Sequence, residues 1–239
     1  MTIRPIDIAR QLKISTTTLR VYEEMGLVPP VHRSSAGYRI YTEEHLAYFI
    51  CIREMLPAFD LTFIAKVLKE VKKGNIDAAL WIANKAQADL WNERQTYKKT
   101  TEILLNNNFN SAASKKMSIG EISKETGISV TTIRYWEKAD LLFPERNKEN
   151  GYRIYTNKHI QQILTLNAIR LSVQTHRLKH FFRTMKETYE AFDYSNRAEI
   201  SKFLDNLSIQ LNQMNRLQIK SISALYKLCR QVEANHFEQ

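Results

Sequence analysis

One stretch of this chain occurs twice, at a fixed distance. ISTTTLRVYEEMGLVPP begins at Ile14 and ISVTTIRYWEKADLLFP at Ile128, while GYRIYTEEHL begins at Gly37 and GYRIYTNKHI at Gly151. The same offset of 114 residues separates Arg20 from Arg134 and Tyr38 from Tyr152, with no gap between them. Over Ile8–Leu46 roughly 40% of positions are identical to their counterparts. A period this long excludes a solenoid and indicates a duplicated domain. Polar residues (Thr17, Arg20, Arg39, Thr42) recur along with the apolar ones. Preserving a core does not require that. The first copy spans residues 1–108 and the second 116–239, and the polar, aperiodic stretch at 109–115 between them reads as a linker.

Each copy predicts the same series of elements. A short helix comes first, Pro5–Leu12 or Ser118–Thr126, the second opened by a capping box of Ser118 and Glu121. A short turn follows, in which Gly127 suits a left-handed helix end. Ser15 and Ser129 are then N-caps for a second helix, so the pattern is helix-turn-helix. Leu19 and Tyr22, or Ile133 and Trp136, face inward on that helix. Its other face carries Thr16, Thr17 and Arg20, or Val130, Thr131 and Arg134. Small hydroxyls at a helix start allow close approach to a groove, and an arginine one turn on reaches phosphates or base edges. The Tyr-Arg-Ile-Tyr of GYRIYT alternates like a strand and predicts a hairpin wing, with one tyrosine of each pair facing either the duplex backbone or the core.

Further helices are expected at Glu43–Leu56, Thr62–Lys73, Asn157–Leu171 and Thr175–Tyr189, and a long helix ends each copy, Asn75–Asn106 and Asn196–Asn235. With Gly (6) and Pro (5) both scarce, the fold class is mainly α: tandem winged helix-turn-helix domains, each followed by a long coiled-coil-type helix. The apolar stripe of the last helix is interrupted by Gln218 and Ser221. Trp81, Trp91 and Tyr97 on the first long helix read as core packing rather than as a ligand pocket.

The formal net charge of +10 suits an anionic partner, nucleic acid before membrane. Cys51 and Cys229 stand in apolar-periodic stretches without a CxxC or Cys/His cluster. They read as buried hydrophobes in a reducing cytosol, with no metal and no cofactor implied. The charges at Arg4, Asp7 and Arg10 do not fit a signal-peptide core, and no apolar run reaches the roughly 20 residues a membrane helix needs. His45 and His159 recur without a nucleophile or carboxylate cluster, and the recurring Glu23 and Glu137 read as salt-bridge partners that fix a helix. No enzyme is indicated.

In its order of helix-turn-helix, (L/I)R(Y/V)(Y/W)E, proline loop, GYRIYT and long helix, the chain resembles the MerR family of bacterial transcription regulators, twice over. The resemblance implies a cytoplasmic, nucleoid-associated regulator that grips double-stranded DNA and distorts promoter DNA for RNA polymerase. It places Thr16, Thr17 and Arg20 on the first recognition helix and Thr131, Thr132, Arg134 and Tyr135 on the second. Tyr38, Arg39 and Tyr41 become the first wing's contacts, Tyr152, Arg153 and Tyr155 the second's, with His32, Arg33, Arg146 and Lys148 adding charge in the loops. The other reading is an architectural, chromosome-anchoring or recombination-associated DNA-binding protein.

Three departures stand out. Val21 occupies the family's tyrosine position, Asp140 replaces the glycine seen as Gly26, and a second DNA-binding copy stands where an effector domain or cysteine metal loop would follow. Family members pair their long helices antiparallel between subunits. Here an intramolecular pseudo-dimer is favoured over a homodimer, because tethering raises the effective concentration. The halves are unequal in charge, about +3 before Lys115 and about +7 from there on. Substituting Arg134 or Arg153 is therefore expected to cost more salt-dependent duplex affinity than substituting Arg20 or Arg39. Titrations across salt concentrations check this, and equal losses would contradict it.

Overall fold

A computed structural model of the chain describes residues 2–106, 115–175, 186–190 and 196–237. The described residues group into two compact units, the first built from two stretches of chain and the second from one. The first comprises Met1–Asp89 with Gln213–Gln239, the second Leu90–Asn212.

In the first unit, Pro5 stands at the start of α1 (Pro5–Gln11), where its missing N–H costs nothing. Ser15 caps α2 (Thr16–Glu24) by accepting from the Thr18 amide at 3.0 Å. Between them Ile14 N donates to Ala9 O at 2.9 Å, which closes the turn. Strands β1 (His32–Arg33) and β2 (Arg39–Ile40) pair antiparallel as the wing, with Arg33 opposite Arg39. A bridge from Ile3 to Tyr41 ties the wing's end to the residues before α1. Helices α3 (Glu43–Met55) and α4 (Leu61–Lys72) follow, the latter capped by Asp60 on the Phe63 amide at 2.7 Å. Next comes α5 (Ile76–Asn106), whose residues up to Asp89 belong to this unit.

The core of this unit joins Ile8, Leu19, Tyr22, Phe49, Ile52 and Val67 to Ala79 and Ala83 of α5. It also takes in Leu225, Leu228 and Cys229, which lie at the far end of the sequence on the last helix. Ser221 Oγ lies 3.0 Å from Glu54 O, Lys220 pairs with Glu54 at 2.7 Å, and Gln87 donates to Gln218 at 2.5 Å. The last helix therefore completes the core of the first helix-turn-helix copy. Both cysteines are buried and free, and burial raises both thiols, Cys229 to about 11.

The second unit repeats the plan. Helix α6 (Ile119–Thr126) opens on the expected capping box: Ser118 N donates to Glu121 Oε2 at 2.7 Å and Glu121 N to Ser118 Oγ at 3.3 Å. Gly127 ends it at φ 75°. Ser129 caps α7 (Val130–Lys138), and Asp140 adopts φ 55° where the first copy has Gly26 at φ 66°, so the aspartate takes up the left-handed turn. Strands β3 (Glu145–Arg146) and β4 (Arg153–Ile154) form the second wing, bridged through Tyr155 to Met117. Helix α8 (Asn157–Thr175) is longer than expected, and residues 186–190 are helical. The rest of the helix expected at Thr175–Tyr189, and the linker apart from Lys115, lie outside the described residues.

Helix α9 (Arg197–Ala234) passes α5 antiparallel within this unit, since Tyr97 Oη donates to Leu204 O at 3.1 Å while Arg197 reaches Leu105 O. Lys99 of α5 also donates to Lys124 O at 3.2 Å, at the end of α6. Two expected core residues are not core. Trp81 is 70% exposed and Trp91 58% exposed, because the buried stripe of α5 runs through Ala79, Ala83, Leu90, Thr100 and Leu104 instead. No described helix is long and apolar enough to cross a membrane.

Truncating Leu225 to alanine is expected to destabilise the protein by about 2–5 kcal/mol, as for a fully buried leucine. Urea unfolding followed by tryptophan fluorescence measures it. A loss under about 1 kcal/mol would show that α9 does not complete the first unit's core.

Candidate nucleic-acid interface

Each recognition helix turns its apolar residues inward and leaves a polar face outside. Leu19 and Tyr22 are buried on α2, Ile133 and Trp136 on α7. Thr16, Thr17 and Arg20 are exposed, as are Thr131, Arg134 and Tyr135, while Thr132 is half-buried against the cap. In the first unit these residues face the wing across an open groove of about 410 Å³, whose walls are Thr16, Thr17 and Arg20 on one side and Tyr38 and Arg39 on the other. Pro5 and Ile6 of α1 also line it, a contribution the helix-turn-helix pattern alone did not reveal. Arg20 lies 3.4 Å from Glu24, an exposed pair one turn apart that costs little to open.

The wings place their residues unequally. Tyr38 and Tyr152, at the tips, are 75% and 74% exposed. Tyr41 and Tyr155 lie in the core instead, which settles which tyrosine of each pair faces inward. Tyr41 Oη donates to Glu23 Oε2 at 3.4 Å, and Tyr155 Oη donates to Glu137. The same carboxylates take the wing arginines: Arg39 Nε donates to Glu23 at 2.6 Å and Arg153 Nε to Glu137 at 2.7 Å. Because side chains alternate along a strand, the arginine and the second tyrosine share a side and meet one glutamate of the recognition helix. This clamp fixes wing to helix. Among the described residues the Nη atoms of Arg39 and Arg153 make no hydrogen bond, so each guanidinium keeps donors for an outside acceptor.

The loop residues are partly structural as well. Arg33 Nη1 donates to Gly37 O at 3.1 Å and Arg146 Nη1 to Gly151 O at 3.2 Å, which ties each hairpin loop to its own strand. His32 and Lys148 are exposed. The recurring histidines close capping boxes: Thr42 N donates to His45 Nδ1 at 3.1 Å and Thr156 N to His159 Nδ1 at 3.0 Å. An Nδ1 that accepts leaves the proton on Nε2. Burial then lowers the His45 pKa. Among the described residues no group of three or more His, Cys, Asp or Glu side chains is placed to hold a metal ion.

Comparison with known proteins gives this geometry a family. The MerR family regulatory protein description matches residues 4–41, and the MerR HTH family regulatory protein description matches residues 117–171. Both matched segments are similar to MerR-family regulatory proteins. Its relatives include the HTH-type transcriptional regulator CueR of Salmonella typhi, 39% identical over 54 residues, which are 23% of this chain and 39% of that protein. CueR of Escherichia coli O157:H7 is 37% identical over 54 residues, 23% of this chain and 40% of its own length. The HTH-type transcriptional regulator ZntR homolog of Haemophilus influenzae is 24% identical over 107 residues, 44% of this chain and 78% of that protein. No solved structure matches at a significant level.

The clamp has a spectroscopic consequence. Burial first, then the charge of Glu23, pushes the Tyr41 hydroxyl up to about 12 from its ordinary 10.0. A proton held more tightly in the folded state stabilises it below pH 10, and that stability is lost as pH climbs through about 12. Absorbance titration of tyrosinate should therefore show a late-titrating group near pH 12. Tyr48 and Tyr155 are raised as well, so the difference between wild type and Glu23→Gln reads Tyr41. One late tyrosine should titrate earlier in the variant, since the neutral amide no longer repels the phenolate, and an unchanged set of late tyrosines would mean that Glu23 does not hold Tyr41.

Proposed function

We propose that the protein is a sequence-specific transcription regulator in which two unequal winged helix-turn-helix modules on one chain grip the two halves of an asymmetric double-stranded operator. The observation that carries this reading is the recurrence, at one offset, of the recognition-helix arginine, the exposed wing tyrosine and the glutamate–arginine clamp. A helix start fits the major groove, and a wing set rigidly beside it meets the flanking phosphates. The groove-facing set is Thr16, Thr17, Arg20, Tyr38 and Arg39 in the first module, and Thr131, Arg134, Tyr135, Tyr152 and Arg153 in the second. Tyr41, Tyr155 and Thr132 support it from behind. The net charge of +10 supplies the sequence-independent attraction to the duplex.

The reading extends to the way the modules are paired. Residues 213–234 of the second copy's long helix belong to the first compact unit, and residues 90–106 of the first copy's long helix belong to the second. That reciprocal use of α5 and α9 supports a single chain doing what two subunits of a family dimer do. The action at DNA is then to hold both half-sites at once and distort the promoter between them for RNA polymerase, in the cytoplasm of a bacterium.

Selection of bound duplexes from a random pool tests the function. Two half-sites of different sequence at fixed spacing are expected, and no enrichment of any sequence would sink the regulator reading. Hydrodynamic mass at micromolar concentration tests the pairing: a species near 28.0 kDa is expected, and a compact dimer would overturn the tethered arrangement.

A further inference from the structure

The two recognition helices begin with different chemistry. At the tip of α2, Thr16 and Thr17 are both exposed and line the groove opposite the wing. The cap there is closed without them, since Ser15 Oγ meets Thr18 Oγ1 at 2.9 Å and the Thr18 amide at 3.0 Å. Among the described residues neither Thr16 nor Thr17 hydroxyl has a hydrogen-bond partner. Both are free to donate to or accept from a nucleic acid.

At the tip of α7, Val130 stands in the position of Thr16. The next residue, Thr131, matches Thr17 in type but differs in its bonding. Ser129 Oγ lies 2.8 Å from Thr131 Oγ1 and 2.8 Å from Thr132 Oγ1, so the Thr131 hydroxyl is held back toward the cap. Threonine's hydroxyl and methyl occupy separate staggered positions on Cβ, so fixing the first turns the second elsewhere. To redirect the Thr131 hydroxyl, a hydrogen bond must be broken, whereas Thr16 and Thr17 rotate without that cost. The second tip therefore offers methyl groups where the first offers hydroxyls.

In the major groove, the 5-methyl of thymine is the apolar feature a side chain can read, and it is contacted by apolar groups. The first residues of a recognition helix are the ones that reach base edges. We propose that the two modules read different features of the duplex: the second module reads a thymine methyl through Val130 and the Thr131 methyl, and the first reads hydrogen-bonding groups through the Thr16 and Thr17 hydroxyls. This rests on the DNA-reading function proposed above and names the specificity residue of its second half-site. Val21 and Tyr135, one turn further along, lie at the position the family resemblance gives to backbone contact, so the base-reading difference falls on the tips.

The test uses the full chain and the duplex returned by pool selection. Each thymine is replaced in turn by deoxyuridine, which removes only the methyl. Affinity should fall about fourfold per contacted methyl in the second half-site and stay within about twofold throughout the first. Val130→Thr, which leaves the Thr131 methyl in place, should weaken that dependence at an unchanged melting temperature, and Thr16→Val should make the first half-site sensitive to the same substitution. Equal methyl dependence in both halves, a second half-site without a methyl-sensitive thymine, or a V130T chain that keeps the sensitivity undiminished would each overturn the proposal. A wild-type chain without salt-dependent duplex binding would instead sink the DNA-reading function itself.

Discussion

Long amphipathic helices cannot stand alone in water, and the way their apolar stripes are covered governs the rest of this protein. Leu225, Leu228 and Cys229 of α9 are buried in one core with Ile8, Leu19 and Phe49, residues that belong to the first helix-turn-helix copy. Covering that stripe and completing that copy's core are one event, so its rigidity depends on a helix encoded more than a hundred residues later. The pairing carries polar markers as well. Gln87 meets Gln218, and Ser221 reaches a carbonyl of α3, at positions where leucines would bury more apolar surface. Buried polar pairs contribute less stability than apolar packing does, but they penalise a shifted register, because any slip leaves an amide without a partner.

On that rigid base the glutamate clamp sets the angle between helix and wing. A two-residue hairpin pair has almost no ladder of its own, so its orientation must come from side chains. Glu23 and Glu137 supply it by taking one arginine and one tyrosine each, from residues of the same side of the strand. A charge-assisted pair shielded on one side by a buried aromatic ring is stronger than an exposed ion pair. The arrangement spends only Nε of the arginine, so one residue both anchors the wing and keeps donors for a phosphate. The sequence presents Arg39 as a contact and Glu23 as a strut; in the structure the two meet in one ion pair that leaves the Arg39 Nη donors unspent.

Much of this was legible beforehand, and the reasons differ from element to element. Ser118, Glu121, Gly127 and Ser129 mark helix ends through local backbone chemistry, which needs no knowledge of the tertiary fold. The left-handed turn at Asp140 was legible because its counterpart is a glycine. Trp81 and Trp91 have the spacing of core residues and yet are exposed, because a continuous helix offers more than one stripe of that spacing. The small residues Ala79 and Ala83 mark the true contact face, which only the close approach of a partner element reveals. Which tyrosine of GYRIYT is buried was equally beyond reach. Alternation divides a strand into two faces but does not say which one the core takes. The reciprocal use of α5 and α9 leaves no local trace in the sequence at all.

Duplication within a chain also changes what evolution can do with a two-headed reader. In a homodimer every substitution appears in both heads, so the operator stays two-fold symmetric. When each head has its own codons, a change at Val130 leaves Thr16 untouched, and Tyr135, Asp140 and Gly120 have likewise parted from Val21, Gly26 and Ile6. Val130 stands at the tip of α7, Tyr135 on its exposed face and Gly120 at the counterpart of the groove-lining Ile6, while Asp140 keeps the left-handed turn of Gly26; Glu23 and Glu137, Arg39 and Arg153, and Tyr41 and Tyr155 are unchanged between copies. Under the function proposed above, this is the pattern two modules would leave if they keep one docking geometry and acquire different sequence preferences. In the proposed tethered arrangement, a weakened half-site contact would be offset by the effective concentration of the second module on the same chain.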